Sequence, residues 1–110
     1  MRKVTFIIDD EKFFREDFKH NNPELTEKQI DDIVSDMPSF KAILTLYGSG
    51  KSFNKYELTD HNGIKMSMRD LNGYQHGIII NDCYAYFEDR PYQNKADKPC
   101  GVIQIIDEEV

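Results

Sequence analysis

The sequence predicts an α+β domain with two N-terminal helices packed on a mostly antiparallel sheet of four to six strands. Two segments with helical periodicity and clear termini lie before residue 38. Several short β-prone runs follow them, separated by turn residues. The length of 110 residues fits one domain, and neither a linker nor an internal repeat divides residues 1–110.

The first part of the chain predicts a strand and then a helix. Residues 3–8 form an apolar run rich in β-branched side chains, which is typical of a buried strand. Asp9 or Asp10 then ends the strand and can cap a helix over 11–20, which the Asn-Asn-Pro sequence at 21–23 ends. Carboxylates after a strand also occur as catalytic acids, but helix capping is the more common role at this position.

The second helix has the best-defined start in the sequence. Thr26 and Gln29 have the spacing of a capping box, and Leu25 and Ile30 have that of a hydrophobic staple. One face of the helix is apolar, and it includes Ile33. The opposite, solvent face carries four carboxylates: Glu27, Asp31, Asp32 and Asp36.

The segment after this helix is ambiguous between helix and strand. Residues 39–47 match an apolar helical stripe, but the Gly-Ser-Gly sequence at 48–50 favours a strand that ends in a turn. With the next two residues, this turn resembles the end of a phosphate-binding loop. Thr45 stands where that loop requires glycine, however, and residues 53–57 predict a strand rather than the helix it needs. We therefore expect a turn between two strands.

Residues 52–70 predict a β-hairpin. A three-residue loop over 61–63, with Gly63 in the left-handed conformation, places apolar residues opposite one another. The pairs in this register are Leu58 with Met66 and Tyr56 with Met68. The other face is then polar and contains Lys55, Glu57, Thr59, Lys65, Ser67 and Arg69.

The last third of the chain predicts two more strands. Residues 77–87 are apolar at both odd and even positions, which indicates a long strand in a central position of the sheet. A polar loop over 88–99 follows it. Residues 102–106 predict a final strand before an acidic segment, 107–110, that contains Asp107, Glu108 and Glu109.

Composition excludes several classes of protein. There are 20 acidic and 14 basic residues, giving a net charge of −6 and a pI near 5.0, yet 13 aromatic residues and 12 isoleucines are too many for a disordered acidic chain. No apolar run approaches the length of a membrane helix, and no secretory signal is evident. We therefore expect a cytoplasmic protein without a membrane partner, in which Cys83 and Cys100 are reduced thiols.

Catalytic and metal-binding patterns are weak. No histidine stands with a cysteine at the spacing of a metal site, so we expect no metal and no cofactor. The best acid–base candidate is His76 with Asp82, six residues later. A small enzyme built around this pair is one alternative, but a surface histidine is the more common role.

The charge is unevenly distributed. Residues 1–40 carry −4, 41–76 carry +2 and 77–110 carry −4. We therefore expect a non-enzymatic protein whose acidic face binds and occludes a basic surface of a partner protein, such as a nucleic-acid-binding groove. Immunity proteins and inhibitors encoded by phages or plasmids act in this manner, in some cases as nucleic-acid mimics. The acidic candidates are the four carboxylates of the second helix together with Asp107, Glu108 and Glu109.

Two other sets of residues are candidate contacts. Tyr84, Tyr86 and Tyr92 either anchor a protein interface or belong to the core. An alternative function is that of a nucleic-acid-binding accessory protein, which combines cations with an aromatic ring. The net charge disfavours that alternative. Its candidate residues are Lys51, Phe53, Lys55, Lys65 and Arg69.

Overall fold

The computed structural model describes residues 1–37, 40–71, 75–92 and 99–110, and for residues 75 and 76 it describes the backbone alone. The elements, in chain order, are β1 (Arg2–Asp9), α1 (Glu11–Asn21), α2 (Glu27–Ser35), β2 (Lys41–Ser49), β3 (Ser52–Thr59), a 3-10 turn (Met68–Asp70), a π-helical turn (Gln75–Ile79), α3 (Ile80–Glu88) and β4 (Val102–Glu109). In these ranges, no helix is long and apolar enough to cross a membrane.

The four strands form one antiparallel sheet in the order β3-β2-β1-β4. The α+β class is therefore confirmed, with four strands. β1 is central and pairs along its length with both β2 and β4. The ambiguous segment 39–47 is a strand, as expected, because β2 begins at Lys41 and ends at the Gly-Ser-Gly turn.

One face of the sheet is covered by α3. Phe6, which points to this face from β1, is fully buried, and so is Phe87 of α3. The apolar cluster between sheet and helix excludes water, and each large apolar side chain in it contributes about 1.5–3 kcal/mol of stability. Its thirteen buried members are Val4, Phe6, Ile8, Ala42, Leu44, Leu46, Leu58, Leu71, Ile79, Ile80, Cys83, Phe87 and Val102.

The prediction of a central strand over 77–87 was wrong, because this segment is the end of the π-helical turn followed by α3. Burial extends around most of the circumference of α3, in which Asn81 alone is exposed. A helix that is apolar on nearly all sides has apolar residues at both odd and even positions, which is also the pattern of a buried strand. No side chain caps the start of α3, so the sequence has no N-cap signal there that would distinguish a helix from a strand.

The first two helices do not form the layer that covers the sheet. They connect β1 to β2, and their apolar side chains pack on one another in a separate cluster formed by Phe14, Ile30, Val34 and Phe40. We call residues 10–37 the acidic arm. The described molecule measures 49 × 31 × 19 Å, and its radius of gyration of 14.9 Å exceeds the roughly 13 Å of a compact domain of this length. The elongation agrees with an arm that has its own core.

The two turns that border β3 differ in how far the prediction holds. The β2–β3 turn is as expected, and its first glycine is required because a Cβ on Gly48 would lie 2.0 Å from the Ser52 carbonyl oxygen. In the next loop, Gly63 has the expected left-handed φ of 83°. Thr59 bridges Lys65, which is the register predicted for the hairpin.

The second strand of that hairpin ends after this single bridge. The Met66 N–H donates to the Leu58 carbonyl oxygen at 2.9 Å, and the chain then enters the 3-10 turn. Ser67 and Asp70 cap this turn reciprocally, so the expected pairing of Tyr56 with Met68 does not form.

β4 is longer than the predicted strand over 102–106. It continues to Glu109, where Lys3 and Arg2 of β1 lie opposite Glu108 and Glu109 in the register and Arg2 forms an ion pair with Asp107 at 2.8 Å. Opposite charges across two strands stabilise the pairing.

Candidate partner-binding surfaces

The acidic arm carries most of the net charge of the protein. Residues 10–37 contain nine acidic and four basic residues, a charge of −5, whereas the rest of the chain contains eleven acidic and ten basic residues. We call the rest of the chain the sheet unit, and it is nearly neutral, so most of the total of −6 lies on the acidic arm.

The capping box fixes the start of α2. The Gln29 N–H donates to Thr26 Oγ1 at 3.2 Å, and the Thr26 N–H donates to Gln29 Oε1 at 2.8 Å. Leu25 packs against the arm's cluster, and Ile30 lies inside it, as the staple predicts. These contacts fix which side chains of α2 point away from α1.

Asp31 is compensated within the arm. Its Oδ1 accepts from Arg15 Nη1 at 2.6 Å, and this hydrogen bond raises the pKa of Arg15. Arg15 also lies 3.4 Å from Glu11. Glu27 lies on the same side, beside a cleft of about 420 Å³ that Arg15 lines. This side of α2 is thus a contact between the two helices.

The other side of α2 is an exposed acidic surface, which we call the outer α2 face and define as Gln29, Asp32, Ile33 and Asp36. Both aspartates are exposed and have no ion-pair partner among the residues that the structure describes. Ile33, assigned to the apolar face from the sequence, is 38% exposed, because it lies at the edge of that face. The outer α2 face therefore combines two unpaired carboxylates with an apolar side chain.

Two of the acidic residues of β4 form ion pairs within the molecule. Asp107 accepts from Arg2 Nε at 3.0 Å and from Arg2 Nη2 at 2.8 Å, which lowers the pKa of Asp107. Glu109 accepts from the amino group of Met1 at 2.9 Å. The β1 residues opposite them are at the far end of that strand from the arm, about 23 Å away for seven residues. The seven acidic candidates therefore do not form one surface.

The five candidates for nucleic-acid binding also separate. Lys51 pairs with Asp89 at 2.9 Å. Phe53 is half-buried against the core, with its ring 4.7 Å from that of Tyr84 and 5.7 Å from that of Phe87. The remaining three line one groove of about 720 Å³: Lys55, Lys65 and Arg69.

Tyr84 and Tyr86 lie on different sides of α3, and Tyr92 follows the end of that helix. Tyr84 stacks on Phe53, and its burial raises the pKa of its phenol. Tyr86 packs edge-on against Phe6 at 5.6 Å and donates to Asp107 at 3.2 Å. Tyr86 and Tyr92 line a cleft of about 400 Å³. Tyr84 therefore lies apart from the cleft that Tyr86 and Tyr92 share.

The acid–base alternative rests on a side chain outside the described residues, that of His76. Asp82 is 1% exposed. The adjacent Cys83 is a free, buried thiol whose pKa burial raises well above its ordinary value, and Cys100 is a free, half-buried thiol. In the part of the chain that the structure describes, no three His, Cys, Asp or Glu side chains are grouped so that they could hold a metal ion.

Three surfaces thus remain as candidates: the outer α2 face, the groove beside β3 and the cleft beside Tyr92. The first was predicted from the sequence as a charged helical face. The groove was not predicted, because it forms only where the second strand of the hairpin ends after Met66. Comparison with protein families, with curated proteins and with solved structures finds no match to this chain.

Proposed function

We propose that this protein is a non-enzymatic binding protein whose outer α2 face occludes a basic surface of a partner protein. The observation that carries the proposal is the placement of Asp32 and Asp36, which are exposed, unpaired among the described residues and one helical turn apart at the C-terminal end of α2. This action is that of an immunity protein or of an inhibitor encoded by a phage or plasmid.

Both carboxylates destabilise the helix where they stand. Negative charges near a helix C-terminus oppose the helix dipole, at a cost of about 0.3–1 kcal/mol each. Asp32 and Asp36 are like charges four residues apart, and their repulsion costs about a further 0.2–0.5 kcal/mol. Acidic residues that serve solubility alone are equally effective at the N-terminal end of a helix, where the dipole favours them. A contact with a basic partner gives these two positions a use that offsets the cost.

Ile33 supports the same interpretation. Protein interfaces combine an apolar centre with a polar rim. Ile33 is exposed beside Gln29 and Asp36 on the helix surface, so a partner that approaches the carboxylates also covers an apolar side chain. The expected partner surface is therefore a basic one with an apolar recess, such as a nucleic-acid-binding groove in which aspartates take the place of phosphates.

The test is partner capture from a lysate of the native host at about 0.15 M salt, with mass spectrometry and then affinity measurement on the purified partner. We expect D32N/D36N to weaken binding at least about tenfold, because two steering charges are lost. The variant should be as stable as the wild type or more stable, because a helix penalty is removed.

The matched control is E16Q/E24Q, which removes two exposed carboxylates of the same arm away from the outer α2 face. It should bind as the wild type does. Binding should also weaken as salt rises. The proposal is overturned if no protein is retained, or if the control and the test variant lose affinity equally.

A further inference from the structure

β3 is an edge strand with open main-chain groups. In an antiparallel ladder, alternate residues bond to alternate sides. Every residue from Lys55 to Thr59 lies opposite a residue of β2, so the register alone does not show which of them point outward. The Leu58 carbonyl accepts from Met66 and therefore points away from β2, and by alternation the main-chain groups of Tyr56 point the same way. Beyond this edge of β3, no described main-chain group bonds to the N–H or C=O of Tyr56.

The groove of about 720 Å³ lies beside these open groups. Its walls are β3 on one side and residues 65–69 on the other. Leu58 is buried, Met66 and Met68 are half-buried against the core, and Tyr56 is 49% exposed. The groove therefore presents apolar side chains next to an unpaired strand edge, which is the arrangement that binds an extended peptide as an added strand.

The charge around the groove is positive. Lys65 and Arg69 are exposed and have no acidic partner within the described ranges, whereas Lys55 lies 3.4 Å from Glu57. This is the reverse of the outer α2 face, where the unpaired charges are negative. The rim of the groove thus favours a ligand with carboxylates.

We propose that the groove binds an extended segment of a partner protein in which apolar and acidic residues alternate, and that this segment pairs with β3 as a fifth strand. The main chain of the segment bonds to Tyr56. Its apolar side chains contact Leu58, Met66 and Met68, and its carboxylates pair with Lys65 and Arg69. The site shares no residue with the outer α2 face, so the proposal does not depend on the function proposed above.

A peptide fits these observations better than a single-stranded nucleic acid does. Nucleic-acid grooves of this type use exposed aromatic rings on which bases stack. Phe53 is packed between Tyr84 and Phe87, which leaves Tyr56 as the exposed ring beside the groove in the described part of the chain. Open main-chain groups, in contrast, are satisfied by another main chain.

The test uses a fluorescein-labelled octapeptide of alternating valine and glutamate, with fluorescence anisotropy for affinity and amide NMR shifts for location. We expect saturable binding that shifts the amides of Tyr56, Leu58 and Met66. K65E/R69E should weaken binding at least about tenfold, whereas K12E/K28E, the same charge change on the arm, should leave it within about twofold. NMR spectra of both variants verify that they remain folded.

Two further probes separate strand pairing from charge attraction. An octapeptide with N-methylated valines keeps its charge. Its valine amides, which face β3 in the proposed arrangement, can no longer donate hydrogen bonds, so it should bind at least about tenfold more weakly. An octapeptide of alternating valine and lysine should not bind. Equal binding of either probe, or binding of oligothymidine in place of the acidic peptide, overturns the proposal.

Discussion

The acidic arm and the sheet unit are held together in different ways. The sheet unit has thirteen buried residues in its cluster, contributed by all four strands, α3 and the segments between β3 and α3. The arm's cluster has four, of which three come from α1 and α2 and the fourth, Phe40, directly precedes β2. Regions with few buried contacts open at lower free energy than the core of the same domain. Most of the net charge thus lies on the unit with the smaller core.

The largest expected effect tests whether the two cores are separate. Phe6→Ala removes a fully buried ring from the sheet unit and should lower the free energy of unfolding by about 3–5 kcal/mol in denaturant titration. Phe14→Ala removes a ring from the arm. It should accelerate amide hydrogen exchange in α1 and α2, and it should lower the free energy of global unfolding by less than Phe6→Ala does. Equal losses of global stability would contradict the division into two units.

A smaller effect is expected at the start of α2. Thr26→Ala deletes the Thr26 acceptor of the capping box and should cost the arm about 1 kcal/mol. Hydrogen exchange should increase in α2 and remain unchanged in β1. Ser35→Ala, an exposed hydroxyl in the same helix, is the matched control and should change α2 less. If β1 exchange rises together with that of α2, the arm does not open independently.

The smallest effect concerns the pH dependence of the sheet unit. The Arg2 guanidinium lowers the pKa of Asp107 in the folded state, so the pair stabilises the fold above the ordinary pKa of about 4 and this contribution is lost as pH falls through the lowered value. Because the carboxylate is about one-third exposed, we expect no more than about 1 kcal/mol. The stability difference between wild type and Asp107→Asn, measured by urea unfolding, should shrink between pH 7 and pH 3. A constant difference would show that the ion pair contributes nothing.

Local rules predicted the arm and the central strands well. The capping box at Thr26 and the left-handed Gly63 are properties of a few neighbouring residues, and both are confirmed. α3 was missed because it is buried on most sides by tertiary packing. A helix buried in this way has apolar residues all around it, so its sequence lacks the helical period. The three isoleucines at 78–80 also favour strands in isolation.

The candidate sites show the same division. The sequence identified the acidic residues of α2, but it could not show that Asp31 is bound by Arg15 while Asp32 is not. Which carboxylate finds a partner depends on how α1 packs on α2. The groove beside β3 was equally invisible, because it depends on where the chain leaves the strand after Met66.

The pairing of β1 with β4 has a consequence for the order of folding. β1 is the first element of the described chain and β4 the last, and Arg2 lies opposite Glu109. Contacts between residues so far apart in sequence close slowly. During synthesis, α1, α2 and the β2–β3 hairpin can therefore form on the ribosome before β4 emerges, which leaves one side of β1 open until translation of residues 102–109 is complete.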